Sequence, residues 1–187
     1  VPVFEEEGFV YTPEAIKEKI TPKTRGIFIN SPSNPTGNVI PKERMQQIVD
    51  IADANNIYII SDEIYHGLVY EGHEHSIYEF TDKAFVLNGF SKLFAMTGLR
   101  LGYLIAPPEF VRALQILQQN FFICANSVAQ LSGVAALKDA HKETQEMRET
   151  YNKRRIYVID RLKKMGLGIT IDPTGAFYVF ANAKHIS

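Results

Sequence analysis

Three short stretches of the chain carry side chains whose chemistries complement one another. They are Asn34 in Asn34-Pro35-Thr36-Gly37, Asp62 in Asp62-Glu63-Ile64-Tyr65, and Lys92 in Ser91-Lys92. Together, an amide, a carboxylate and a primary amine can hydrogen-bond a polar ring, hold a positive charge and attack a carbonyl carbon. Pro35 restricts the backbone of Asn34, so that its side chain can be held rigidly toward a ligand. Tyr65 follows Asp62 by three positions, which puts acid and phenol on one face if a helical turn begins there. Arg100, in Thr97-Gly98-Leu99-Arg100-Leu101-Gly102-Tyr103, adds a guanidinium fork suited to phosphate oxygens.

These residues need a frame. Arg25 to Asn30 is a short apolar run that stops at a turn-rich stretch, and it predicts a buried strand. Pro41 opens a segment in which Met45, Ile48, Val49 and Ala52 recur at helical steps, closed by Asn55 and Asn56. Ile57 to Ile60 predicts a second strand ending before Asp62, and Ala84 to Leu87 a third ending before Lys92. Strand, helix, strand in this order predicts a βαβ unit and a mainly parallel, doubly wound α/β sheet. Ligands of such sheets bind outside the carboxyl ends of the strands, where Asn34, Asp62 and Lys92 all fall. The competing reading makes Asp62 and Lys92 a structural ion pair and Asn34 a turn support.

Further along, Gly102 to Ala106 predicts a fourth strand, with an antiparallel course open because the connection from Leu87 is short for a crossover. Helices are expected from Glu109 to Asn120, from Ser127 to Leu137, and from about Lys142 to Met165, where Gly166 stops the last. Leu167 to Ile171 and Ala176 to Phe180 read as two short strands of a second domain. The expected division is residues 1–150 and residues 151–187.

Composition narrows the function classes. With 20 Lys plus Arg against 21 Asp plus Glu, interspersed, the chain has no basic stripe for nucleic acid or an anionic membrane. No apolar run approaches the roughly 18 residues of a membrane span. The single cysteine, Cys124, cannot close a disulfide within the chain, and a reducing, cytoplasmic compartment is the expectation. His66, His73 and His75 with Glu71 and Glu74 read as a solvated loop, and no metal is expected. The chain begins Val-Pro-Val-Phe, without an initiator Met or a leader pattern, and is expected to be a fragment.

The three motifs in this order, with Met96 to Tyr103 and Gly175-Ala176-Phe177-Tyr178, resemble the signatures of the fold-type I, class I and II aminotransferases. The resemblance covers essentially the whole chain. It implies the large-domain fold of transferases dependent on pyridoxal 5'-phosphate (PLP), with flanking helices, followed by the start of a smaller C-terminal α+β domain. It implies PLP as cofactor, held as a Schiff base on Lys92. Asp62 would face the pyridine nitrogen, Asn34 and Tyr65 the ring's phenolic oxygen, and Arg100, with Ser91, the phosphate. Where some members place a phosphate-binding serine, this sequence has Gly89.

The implied reaction is amino transfer between an amino acid and a 2-oxo acid, in a cytoplasmic homodimer. A PLP-dependent carbon–sulfur lyase and a non-catalytic PLP-binding sensor domain of a transcription regulator share the fold and stand as alternatives. Family members are longer, so the phosphate loop, the ring-stacking aromatic residue and the substrate-carboxylate arginine of the family are expected outside this chain.

Overall fold

A computed structural model describes residues 1–184, and in it a strand–helix–strand unit leads into two further strands and then three consecutive helices. Strands β1 (Gly26–Asn30), β2 (Tyr58–Asp62) and β3 (Ala84–Gly89) pair in parallel, and β4 (Gly102–Ile105) joins β3 antiparallel. Spatial order follows chain order. The β3–β4 connection, residues 90–101, is short for a parallel crossover and holds only a single 3-10 turn, so the returning strand runs the opposite way. Register places Asn30 beside Asp62 and Asp62 beside Leu87. The loops carrying Asn34, Tyr65 and Lys92 therefore leave the sheet side by side.

One face of the sheet is covered by α1 (Pro13–Lys19) and α2 (Lys42–Ala54). Met45, Ile48, Val49 and Ala52 of α2 and Ile16 of α1 close over Ile29, Ile59, Ala84 and Val86 to form the aliphatic core. Pro41 sits at the N-cap of α2 with extended backbone, one step outside the first turn in which the sequence placed it. Asn56, with φ 51°, turns the chain after the helix in the left-handed region that Asn tolerates. Helix α1 was not foreseen, although its start was legible: Thr12 accepts from the Ala15 N–H and Pro13 takes the first turn.

The opposite face is only partly covered. Phe110, in α3 (Pro108–Phe121), meets Tyr58 and Phe85 edge-on at 5.3 and 5.2 Å. Beyond that contact the expected burial of the first strand fails, since Ile29 is fully covered while Phe28, on the other face, is 56% exposed. Likewise β4 is exposed throughout, as are Phe121 at the end of α3 and Phe122 and Ile123 in the link to α4 (Ser127–Asp139).

Helix α5 (His141–Lys164) is long and charged, and Gly166 at φ 86° follows its end. The two short strands expected at 167–171 and 176–180 do not form. Among the described residues, Gly168 bridges only Asn182 and Gly175 bridges only Val69. A strand needs a ladder of several pairs. Ala176 also adopts φ 55°, a left-handed turn that no strand accommodates.

Candidate active site

The sequence Asp62-Glu63-Ile64-Tyr65 folds as a turn that Asp62 closes on the segment's own backbone and Glu63 ties to a neighbouring loop. Asp62 ends β2 half-buried, and its Oδ1 accepts from the Ile64 N–H at 3.1 Å. Glu63 turns inward to be 3% exposed, where its Oε1 accepts from Ser61 Oγ at 3.0 Å, Ser76 Oγ at 3.2 Å and the Ile77 N–H at 2.9 Å. His66 Nδ1 lies 3.4 Å from Glu63 Oε2. A buried carboxylate with this many donors fixes the turn that carries both neighbours.

Asn34 is held from the same side. Its backbone N–H donates to Asn30 Oδ1 at 2.8 Å, and the Asn30 amide donates to the Asp62 carbonyl at 3.0 Å. The Asn34 side chain lies beside the hydroxyl of Tyr65, whose ring is buried. The Tyr65 hydroxyl lies 2.6 Å from that of Tyr178. Burial first, then donation to Tyr178 and the Asp62 charge, push the Tyr65 phenol well above its ordinary pKa, while the neighbouring Asn34 side chain pulls the other way.

Lys92 arrives from the loop after β3. Gly67, at φ 84°, gives that loop room: a Cβ there would sit 2.6 Å from Leu93 Cδ1. The Lys92 ammonium lies 5.6 Å from the Tyr65 ring centre and 5.7 Å from that of Phe177. It enters none of the ion pairs among the described residues, so the structural Asp62–Lys92 pair considered from sequence does not form.

The structure therefore brings Asn34, Asp62, Tyr65 and Lys92 together. Ser91 and Arg100 stand differently. The Ser91 carbonyl accepts from the Thr97 hydroxyl at 2.9 Å. Arg100 is exposed, takes φ 55°, and donates to the Thr97 carbonyl at 3.1 Å.

Two aromatic residues, Phe177 and Tyr178, complete the floor of the site, although the sequence suggests them only as part of a family signature and of a short strand. The segment that carries them is stitched to the other loops: Gly175 N–H donates to the Gly37 carbonyl at 2.8 Å, Ala176 N–H to the Leu68 carbonyl at 2.9 Å, and Tyr70 N–H to the Thr174 carbonyl at 2.8 Å. At Gly37, φ 69°, a Cβ would lie 2.6 Å from Pro173 Cβ, so glycine is required for the approach. Arg155 of α5 braces the same turn by donating to the Pro173 carbonyl at 2.8 Å and pairing with Glu71. A cavity of about 360 Å³ lined by Tyr151, Arg154, Leu162, Phe177 and Tyr178 adjoins this floor.

The chain matches the family Aminotransferase class I and II over residues 1–186. It belongs to that family. It is 44% identical over 176 residues to the (5-formylfuran-3-yl)methyl phosphate transaminase of Methanocaldococcus jannaschii, covering 92% of this chain and 46% of that protein. It is 42% identical over 187 residues to the aspartate aminotransferase of Pyrococcus horikoshii, covering 97% and 48%. The solved Thermus thermophilus aspartate aminotransferase with maleate superposes at a TM-score of 0.95 with 35% identity, over 99% of this chain and 49% of that one. The chain thus spans about half the length of the relatives it matches. The mainly parallel sheet with flanking helices expected from the motifs agrees with this likeness.

Proposed function

We propose that this chain is the cofactor-bearing part of an aminotransferase that moves an amino group between an amino acid and a 2-oxo acid, with PLP linked to Lys92. The observation that carries the reading is the convergence of Asn34, Asp62, Tyr65 and Lys92 on one sheet rim. The donor set fits the cofactor. Asp62 keeps one carboxylate oxygen outside the described hydrogen bonds, available to a protonated ring nitrogen. Asn34 and Tyr65 lie side by side, so that they can reach a ring oxygen together, and the Lys92 amine is 5.6 Å from the Tyr65 ring centre.

Bound there, PLP would supply the electron sink that allows a proton to leave the substrate's α-carbon. Asp62 places a fixed negative charge that keeps the ring nitrogen protonated. Lys92 as a free amine would accept the proton from the substrate's α-carbon and, as an ammonium, would deliver it to the carbon that was the cofactor's aldehyde carbon. Arg100, with Ser91, is the candidate for the phosphate.

The likeness to aspartate aminotransferases makes aspartate or a similar amino acid the first substrate to test. Residues 1–150 are assigned to the PLP-binding large domain and residues 151–187 to the opening of a smaller one, the last three lying outside the described residues. Helix α5 crosses that division unbroken. The exposed Leu117, Phe121, Phe122, Ile123 and Leu131 suit a homodimer boundary, and the lone exposed Cys124 suits the cytoplasm.

The test is to load the full-length protein with PLP and supply L-aspartate with 2-oxoglutarate, then a panel of other amino acids. Formation of glutamate together with the donor's 2-oxo acid is expected. Release of ammonia with no new amino acid contradicts amino transfer and indicates elimination.

A further inference from the structure

The Tyr65 and Tyr178 hydroxyls, 2.6 Å apart, have one proton each, and the bond between them has only two polarities. If Tyr65 donates to Tyr178, its proton is spent on that bond. If Tyr178 donates to Tyr65, the Tyr65 proton is free for another acceptor. The Asn34 side chain lies beside the Tyr65 hydroxyl on the side facing the site. Donation from Tyr65 to Tyr178 adds to the rise that burial imposes on the Tyr65 pKa, whereas a bond arriving from Tyr178 makes Tyr65 a stronger donor by stabilising charge that builds on its oxygen.

The two rings are also fixed as bodies. Tyr65 meets Phe177 and Tyr178 edge-on at 5.4 and 5.6 Å, and Tyr151 of α5 backs Phe177 at 5.7 Å. Tyr178 belongs to the segment clamped by Gly37 and Leu68, so its hydroxyl is presented by the C-terminal part of the chain to a residue of the β2 turn. The charged or titratable groups around Tyr65 are Asp62, Tyr178 and Lys92.

We propose that Tyr178 is a positioning residue that sets the polarity of the Tyr65 hydroxyl, so that Tyr65 donates into the site toward the acceptor shared with Asn34. The proposal rests on the reading that this acceptor is the ring oxygen of PLP. Tyr65 donation to that oxygen competes with the proton on the nitrogen that joins PLP to Lys92. Weakening the donation therefore raises the pH at which that nitrogen loses its proton.

The experiment is a pH titration of the visible absorption of the PLP-loaded full-length protein, with Tyr65→Phe, Tyr178→Phe and the double variant. Phenylalanine keeps the ring packing, so a purely structural role for Tyr178 predicts no shift. The expected result is a midpoint raised by about half a unit to one unit in Tyr178→Phe. Tyr65→Phe should shift it further, and the double variant should match Tyr65→Phe alone, because Tyr178 acts only through Tyr65. An unshifted Tyr178→Phe, or shifts that add in the double variant, overturn the proposal while leaving the role of Tyr65 standing. An unshifted Tyr65→Phe overturns the underlying reading and the proposal with it.

Discussion

The protein has two interiors built on different terms. The first, between α2 and the sheet, is aliphatic in its fully buried residues, which all lie between positions 16 and 86. The second, around Tyr65, Leu68 and Ala176 with Tyr151 and Tyr178 against it, is aromatic, carries hydroxyls, and joins residues 113 positions apart in its central hydrogen bond. The first interior needs only volume and apolarity. The second must place oxygen atoms and an amine. Its geometry therefore depends on a distant segment being held down, which the Gly37–Gly175 clamp and Arg155 do.

That contrast can be broken by substitution. Ile48→Ala, in the aliphatic interior, should lower the stability of the protein by ~2–5 kcal/mol in denaturant titration, while PLP-binding affinity at low temperature stays within about twofold. Gly37→Ala should cost less, ~1–3 kcal/mol, because a Cβ meets Pro173 and the φ of 69° is strained. Yet it should weaken PLP binding measurably, since it loosens the segment presenting Phe177 and Tyr178. A Gly37→Ala variant that binds PLP normally would show that the two interiors are independent of the clamp.

The smallest effect is at high pH. Burial, reinforced by Tyr151, pushes the Tyr70 phenol up to about 12, and it donates to the Ala176 carbonyl. The folded protein keeps a proton that the unfolded chain releases above 10.0, so this contribution is present below that pH and fades as pH rises toward about 12. Tyr70→Phe should flatten the alkaline decline in melting temperature. An unchanged slope would remove Tyr70 from the account of the second interior.

How much of this was legible in the sequence follows the same division. The first interior was readable because Met45, Ile48, Val49 and Ala52 recur at helical spacing and each strand is a local apolar run. The rim residues Asn34, Asp62 and Lys92 were readable because loops after parallel strands must emerge at one edge. Tyr178 and Phe177 were not, because the contact that gives them meaning spans most of the chain, and the alternation of Ala176 to Phe180 suggested a strand. Glu63 was passed over because its role depends on Ser76 and Ile77, donors from another loop. A Gly followed by Ala-Phe-Tyr after Pro173 carried a signal for a tight turn, but nothing local says what the turn faces.

The central claim is that Lys92 is the residue that carries the cofactor. The most direct test is to incubate the protein with PLP, reduce with borohydride and locate the phosphopyridoxyl adduct by peptide mass spectrometry, beside a Lys92→Ala control. The account predicts an adduct confined to Lys92 and absent from the control. Adducts spread over surface lysines, equal in the two proteins, would contradict it.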